Sequence, residues 1–511
     1  MRMEGNEGGC GIYDCYCNFV PDCIAGSVAL QMAVYRLIVE RSMPIFPDLK
    51  HKTVVVMGAG KSGIAAVSML KRLGAHPVLF DENTKIKKEQ IEINLPKEEF
   101  EFYTGELPEK IMAKTALLVM SPGVPSDTSF VDWFRKAGIP VWGEIELAYR
   151  YAKGDLIAIT GTNGKTTTTS LVGKILKDYF DHVFVVGNIG YPYTASALET
   201  KAGDVTVAEI SSFQLETIQE FHPKISVILN ITPDHLDRHH TMENYVVCKE
   251  AIATNQTKSD LCVLNYEDAY TRKFAENCPA EVLFFSSATR LERGIYLDGE
   301  GIFHADGRTV RHLMDLHETS LLGIHNAENI MAAMAVAMAY GVPEQSILQS
   351  VREFQAVEHR IEYVATIRGV AYYNDSKGTN PDAAIRAIRA MTRKTVLIGG
   401  GYDKENTFDQ WMESFAGKVT WLILLGQTKE KIAACARAHG FENIIMTNSL
   451  EEAVAQAAGK AKEGEAVLLS PACASWGMFP NYEVRGRRFK ELVMNLEEER
   501  SRLQNAEKTS F

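Results

Sequence analysis

Apolar residues fall along the chain in short unbroken runs that alternate with longer stretches in which they recur at helical spacing. Thr53-Val-Val-Val-Met57 is followed by a glycine turn, a helix-periodic stretch to Leu73 and a second apolar run, Pro77-Val-Leu-Phe80, which is the order of a βαβ unit. Similar alternation continues to about Ala148. A second set opens at Asp155-Leu-Ile-Ala-Ile-Thr160, with strands predicted near Val183 to Val186, Val205 to Ala208 and Ser226 to Leu229. From Glu358 a third set appears, with strands at Thr395-Val-Leu-Ile398, Thr420-Trp-Leu-Ile-Leu-Leu425 and Ala466-Val-Leu-Leu469. Strands alternating with helices predict α/β domains with parallel sheets and sites at the carboxyl ends of the strands. The expected divisions are 46–145, 146–356 and 357–511. Residues 1 to about 45 match nothing that follows, Met43-Pro-Ile-Phe-Pro-Asp-Leu-Lys reads as a polar lead into the first strand, and a charged terminal helix is expected after Leu492.

Composition narrows the function classes. Over 511 residues, 46% apolar and 23% charged side chains are ordinary globular usage, which disfavours a disordered or coiled-coil chain. A net charge of −11 argues against a broad basic face for nucleic acid, while leaving room for a local anion pocket. No uninterrupted apolar run approaches the roughly 18 residues of a membrane-spanning helix. Cys10, Cys15, Cys17 and Cys23 lack paired C-x-x-C spacing, and Cys248, Cys262, Cys278, Cys435 and Cys473 are scattered as reduced, packing cysteines would be. Glu4 and Glu7 at the start and Arg36 within the late apolar stretch do not suit a signal peptide, so a cytoplasmic location is expected.

Gly161-Thr-Asn-Gly-Lys165-Thr166-Thr167 lies between an apolar strand and the amphipathic stretch Leu171 to Leu176. Backbone amides there can cradle a polyphosphate, with Lys165 as a point charge at the β and γ phosphates and the Thr166 hydroxyl on magnesium. Ile159 stands where the strict phosphate-loop pattern has its first glycine. Glu209 ends a strand where a parallel sheet presents its ligands, and suits a hard cation. The Asp234-His235-Leu-Asp237-Arg238-His239-His240 cluster reads alone as a solvated loop, and Lys249 as a solvated helix lysine. Tyr373 to Asn380, Gly399 to Lys404 and Ser470 to Trp476 each begin just after a strand, so the three are expected to line one cleft. Gly58-Ala-Gly60-Lys-Ser62-Gly63, with Asp81 twenty-one residues after Gly60, reports a diphosphate and taken alone favours a nicotinamide dinucleotide. Under an oxidoreductase reading, however, the phosphate loop and the later polar clusters would have no role. A P-loop motor would use Lys165 without a small acyl acceptor.

From about Leu49 to Leu492 the chain resembles the Mur ligases, in their D-glutamate-adding branch. The resemblance rests on Ser121-Pro122-Gly123, Gly187-Asn188-Ile-Gly190, Glu209-Ile-Ser211-Ser-Phe-Gln214, His325-Asn326, Asn374-Asp-Ser-Lys377 and Ser470-Pro-Ala-Cys-Ala-Ser475, and on the absence of a D-N-P-R-type segment. The central loop alone is shared with folylpolyglutamate synthases. The resemblance implies a Rossmann-like first domain, a central P-loop ATPase-type domain with a mostly parallel sheet, and a Rossmann-like C-terminal domain. It also implies an ATP-dependent ligase of cell-wall peptidoglycan synthesis, working as a monomer on UDP-N-acetylmuramoyl-L-alanine and D-glutamate through an acyl phosphate.

Residue by residue, the resemblance gives ATP to Gly161, Thr162, Asn163, Gly164, Lys165, Thr166, Thr167, Asn326, Asn329, Arg360 and Asp375. Two magnesium ions fall to Thr166 with Glu209, and to His235 with a carbamate on Lys249; Lys165, His235 and Lys249 are the implied catalytic residues. The UDP substrate falls to Gly58, Gly60, Ser62, Gly63, Asp81, Ser121, Pro122, Gly123, Asn188, Ser211 and His235, and D-glutamate to Lys377, Thr379, Lys404, Ser475, Trp476 and Tyr482. At Gly477 many relatives carry an acid, and the segment to about Ile45 has no counterpart in the family.

Overall fold

Parallel strand pairing, set by apolar runs too short for helices, builds three sheets in succession. The computed structural model describes residues 48–508, except 94, 96–99, 189 and 356–357, so the four early cysteines lie outside the described residues. Residues from Leu49 onward belong to one unit. The first sheet holds β1 (Thr53–Met57), β2 (His76–Asp81), β3 (Glu101–Thr104), β4 (Thr115–Met120) and β5 (Val141–Gly143) in the order β3-β2-β1-β4-β5, all parallel. Strand order reverses between β1 and β4, and this is where an open parallel sheet leaves a crevice for a ligand.

The second sheet has nine strands: β6 (Asp155–Thr160), β7 (Val183–Gly187), β8 (Val205–Glu209), β9 (Ile225–Ile228), β10 (Leu261–Asn265), β11 (Glu281–Ser286), β12 (Arg293–Asp298), β13 (Gly301–Asp306) and β14 (Val310–Asp315). Their order is β14-β13-β12-β11-β10-β9-β6-β8-β7, parallel from β7 to β12 and antiparallel across β12, β13 and β14. The sheet is mostly parallel, as expected, and the antiparallel pairing is confined to this edge. Antiparallel neighbours need only a tight turn, and Gly299 and Gly307 supply turns at positive φ. The helix Ile324–Ala339 is buried on nearly every side beneath this sheet, as an all-round apolar helix must be, and packs on the helix Lys165–Lys177.

The third sheet contains β15 (Glu362–Ile367), β16 (Val370–Asn374), β17 (Thr395–Gly399), β18 (Val419–Leu424), β19 (Ile444–Met446) and β20 (Ala466–Leu469), ordered β15-β16-β20-β17-β18-β19 with only β15 antiparallel to its neighbour. The terminal helix starts at Tyr482, ten residues before the expected point. Asn481 accepts a bond from the Val484 amide, and Phe489 and Val493 bury against the sheet, so the first turns are held by packing that charge patterning does not reveal. Among the described residues, no helix is long and apolar enough to cross a membrane.

A buried carboxylate joins the first two sheets. Glu146, in the helix Glu144–Tyr151, accepts the amides of Gln219, Glu220 and Phe221 and pairs with buried Arg150 at 2.7 Å. Removing one partner of such a pair typically costs about 3–5 kcal/mol, because the other charge is left unpaired inside the protein.

Candidate active site

Strand β6 delivers the loop 161–164 to the start of the helix Lys165–Lys177, which Gly164 opens at φ +89. A Cβ on Gly164 would lie 2.3 Å from the Asn329 Oδ1, so both backbone conformation and the close approach of the buried helix demand glycine. The Asn163 amide donates to the Asn230 side chain at 2.8 Å, and the Asn163 Nδ2 donates to Asp382, from the third region, at 2.6 Å. Asn326 and Asn329, expected at the nucleotide, bond to each other at 3.0 Å, and Thr168 donates to Asn329.

Three lysines converge on this loop. Lys165 Nζ donates to the carbonyls of Gly161 and Thr162, folded back on the loop, at 2.7 and 2.9 Å. Lys249 Nζ donates to the Gly161 carbonyl at 2.9 Å, and Lys377 Nζ to the Thr166 hydroxyl at 2.7 Å. Lys249 is only 1% exposed, which corrects its reading as a solvated helix lysine. Burial, then the nearby Lys165 charge, holds its ammonium well below the ordinary lysine range. Burial likewise lowers Lys165, against the pull of Glu209 and Asp234, while burial and Arg360 bring Lys377 down to about 8.

Glu209, at the carboxyl end of β8, is buried. Its Oε1 accepts a 2.8 Å bond from the Asn188 Nδ2, and its Oε2 has no partner. A buried carboxylate oxygen without a donor is costly unless a cation completes it, so Glu209 beside the phosphate loop fits a hard divalent ion. His235 opens a short helix at φ +52, about half exposed, 3.7 Å from Asp234 and edge-on to Phe213.

A cleft of about 770 Å³ runs from the first sheet to the phosphate loop and on to the third region. It is lined by Gly58, Gly60, Ser62, Asp81, Ser121, Pro122 and Gly123 at one end, by Asn188 and Thr166 in the middle, and by Lys377 and Tyr482 at the other end. Gly63 underlies the turn: a Cβ there would meet the Gly58 carbonyl at 1.8 Å. Asp81 uses both oxygens on backbone, accepting the Ala59 amide at 2.8 Å and the Asn83 amide at 2.9 Å, and Ser121 donates to the Gly58 carbonyl. Ser211 lies outside the residues that line the cleft; its hydroxyl caps the helix Ser212–Leu215 against Gln214, and Gln214 reaches the cleft in its place.

Asn163, Gly164, Asn329, Arg360 and Asp375 line a second, smaller cavity with His325 and Arg386. Burial raises the Asp375 carboxyl to about 7 despite the 2.7 Å bond it accepts from Ser470, and burial together with Arg386 and Arg360 lowers His325 to about 3.

The expectation that three polar segments line one cleft is corrected. Only Lys377 of the three segments faces it. Lys404 lies 4.9 Å over the Trp476 ring, which packs against Tyr402, and Ser475 is buried with its carbonyl accepting the Met478 and Phe479 amides. The Thr379 amide bonds back to the Lys377 carbonyl. Gly477 adopts φ +83, a conformation that glycine tolerates and an acid does not readily adopt. Sequence reading missed Gln214, Glu358, His359 and Glu483 in the cleft and Asp382 on the loop. Asp382 follows Pro381 in the first turn of a helix, where an acid is already explained by the helix dipole.

Comparison with known proteins places these features in a family. Residues 52–143 match a family model described as Mur ligase MurD-like, N-terminal domain; 159–337 match the Mur ligase middle domain; and 359–473 match the Mur ligase, glutamate ligase domain. The chain is 56% identical over 449 residues to a UDP-N-acetylmuramoylalanine–D-glutamate ligase of Lachnospira eligens, covering 88% of this chain and 100% of the relative. It is 54% identical to the protein of that name from Lachnoclostridium phytofermentans, covering 88% and 99%. In fold it resembles the UDP-N-acetylmuramate-alanine ligase of Thermotoga maritima, with TM-score 0.56, 18% identity and coverage of 87% and 99%. The same holds for the MurF ligase of Thermotoga maritima in complex with ADP, with TM-score 0.55, 18% identity and coverage of 89% and 96%. A phosphate loop, a diphosphate-type glycine turn and a third α/β region bordering one cleft, with sequence identity above half across nearly the whole relative, mean that the chain belongs to the Mur ligase family.

Proposed function

We propose that this chain is an ATP-dependent ligase that joins D-glutamate to UDP-N-acetylmuramoyl-L-alanine in peptidoglycan precursor synthesis, the activity named in its relatives at 56% and 54% identity. The observation that carries this function is the single cleft shared by the glycine turn after β1, Thr166 of the phosphate loop, and Lys377 with Tyr482. Amide synthesis from a carboxylate requires activation. The substrate carboxylate attacks the γ-phosphorus of ATP, the bond to the bridging oxygen of ADP breaks, and an acyl phosphate forms. The amine of D-glutamate then attacks the acyl carbon, phosphate leaves, and the nitrogen gives up a proton.

We assign 46–145 to the UDP moiety, 146–356 to ATP and 357–511 to the amino acid. Lys165 meets the charge that develops on the transferred phosphoryl group, and Asn188 orients the substrate beside Glu209. Thr166 and Glu209 would hold a first magnesium, and His235 with Lys249 a second; bound magnesium supplies positive charge that offsets repulsion between the phosphates and the attacking carboxylate. Burial favours the neutral Lys249 amine, the form that adds carbon dioxide: a nitrogen–carbon bond forms, a proton leaves, and an anionic carbamate results. Density ending at an ordinary ammonium, in a magnesium- and substrate-bound crystal grown with bicarbonate, would remove the carbamate from this scheme.

Action as a monomer belongs to the same proposal, and the nucleotide-linked substrates support a cytoplasmic site. The cleft-lining position of Lys377 and Tyr482 supports the D-glutamate assignment more strongly than that of Lys404, Ser475 and Trp476. A nicotinamide-dependent reading fares poorly, because Asp81 already serves the backbone of the turn with both oxygens. The deciding experiment is phosphate release with UDP-N-acetylmuramoyl-L-alanine crossed against D-glutamate, L-glutamate, lysine and diaminopimelate. Release with D-glutamate alone is expected. Equal release with another amino acid would overturn the substrate assignment.

A further inference from the structure

We propose a transition-metal site of the zinc class in the third region, formed by Asp409, Cys435 and His439. Asp409 opens the helix Asp409–Glu413, and Cys435 and His439 stand one turn apart at the end of the helix Lys429–Ala438, so a helix face and its neighbour present three different donors to one point. One donor atom from each residue lies within 4.8 Å of the others. The Cys435 Sγ is 3.9 Å from the Asp409 Oδ1, and the His439 Nε2 is 3.8 Å from the same oxygen. None of the three residues lines the cleft or the smaller nucleotide-side cavity.

The imidazole is arranged as a ligand would be. His439 Nδ1 lies 3.0 Å from the Cys435 carbonyl oxygen, so Nδ1–H donates there and Nε2 keeps its lone pair on the side of Asp409. Ligating histidines typically have their second nitrogen tied to a carbonyl or carboxylate in this way. Donors on one tetrahedral zinc stand about 3.3–3.5 Å apart at ordinary bond lengths. The two spacings to the Asp409 oxygen therefore need to close by about half an ångström; the imidazole, whose Nδ1 lies 3.9 Å from the Cys435 sulfur, turns to bring Nε2 to the metal, and the side chains of Asp409 and His439, 63% and 28% exposed, have room to move. Sulfur, imidazole and carboxylate together select zinc or cobalt over magnesium, which takes oxygen ligands in octahedral array. On binding, the Cys435 S–H bond breaks, its proton goes to solvent, and the thiolate sulfur bonds the metal; water completes the fourth position. The occupied site joins two helices that otherwise meet through side-chain packing, five residues beyond Lys404.

The test is titration of the full, chelator-treated protein with cobalt(II), followed by its thiolate-to-cobalt charge-transfer absorption. A saturable band at one equivalent is expected, bleached by zinc and unaffected by excess magnesium. Cys435→Ser should abolish the band, and His439→Ala and Asp409→Asn should each weaken cobalt binding tenfold or more. Divalent ions held by Thr166, Glu209, His235 and Lys249 meet only oxygen and nitrogen donors in the assigned set and so give no such band. Absence of the band in the intact protein would overturn the site, as would a band that persists in Cys435→Ser and so belongs to other cysteines. Should Cys435→Ser misfold by circular dichroism, unchanged cobalt affinity in the two surface variants would overturn it equally.

Discussion

The turns after β1 and β6 share one backbone plan, a strand running through glycines into a helix, yet they differ in the charges that surround them. At the first, the Ala59 amide already donates to the Asp81 carboxylate, and Glu82 and Lys61 line the same end of the cleft. At the second, Lys165, Lys249 and Lys377 crowd around Gly161 and Thr166, with Glu209 as a buried counter-charge. Glycine and a helix N-terminus offer amides to any phosphate, but they do not choose between holding one and transferring it. That choice is made by the neighbours. A pre-bonded carboxylate leaves a turn that recognises a ligand by shape and polar contact, whereas desolvated ammoniums held by neutral carbonyl and hydroxyl acceptors gain most from a polyanion.

The largest break in this comparison should come from Lys165→Ala. Turnover is expected to fall on the order of a thousandfold or more, because the lysine meets charge that grows in the transition state. Binding of the UDP substrate, followed by calorimetry, should be unchanged. Near-normal phosphate release at saturation would remove the distinction between the turns.

Gly63→Ala tests the opposite turn. Its Cβ would sit 1.8 Å from a backbone carbonyl, an overlap that no rotamer relieves, so a loss of about 3 kcal/mol or more in stability is expected by denaturant unfolding. The folded fraction should bind an ATP analogue normally and the UDP substrate poorly. Equal loss of both would show that the two turns are not independent.

The pH response should separate the regions next. Asp375, held at about 7 by burial, keeps its proton in the folded protein while the unfolded chain loses it above about 4. Its contribution to stability is therefore complete below about pH 4 and is lost as pH rises to about 7. Asp375→Asn should flatten stability across that window by about 4 kcal/mol, and urea midpoints at pH 4, 5.5 and 7 check it. An unchanged slope would move the titrating group elsewhere.

The smallest effect is expected from Asp81→Asn. It keeps one of the two backbone bonds and sets an NH2 against the other amide without emptying the turn, so affinity for the UDP substrate should fall about tenfold while turnover at saturation holds. A fall in turnover with unchanged affinity would give Asp81 a catalytic role that its geometry does not suggest.

Much of the site was legible because much of it is local. Gly161 to Thr167 and Glu209 are set by strand-then-loop patterning, and both emerge at strand ends as that patterning predicts. Lys249 was illegible from its own helix, because nothing in Met242–Glu250 marks the side that is buried against the Gly161 carbonyl. The edge strands β12 to β14 were missed for a related reason: they are partly exposed and joined by turns, so they lack the long apolar-run-and-helix rhythm that reveals a parallel strand.

The sequence by itself determined the α/β rhythm, the two glycine turns, the acid at the end of β8 and, through matching segments, the family. Only the tertiary structure decided that Lys377 reaches Thr166 across 211 positions, that Asp382 reaches Asn163 across 219, and that Lys404 and Trp476 pack on each other outside the set that lines the cleft. The physical reason is the range of the forces involved. Backbone propensity and strand periodicity act between near neighbours, whereas the convergence of charges is settled by how three separately buried sheets pack, and no short window of residues carries that information.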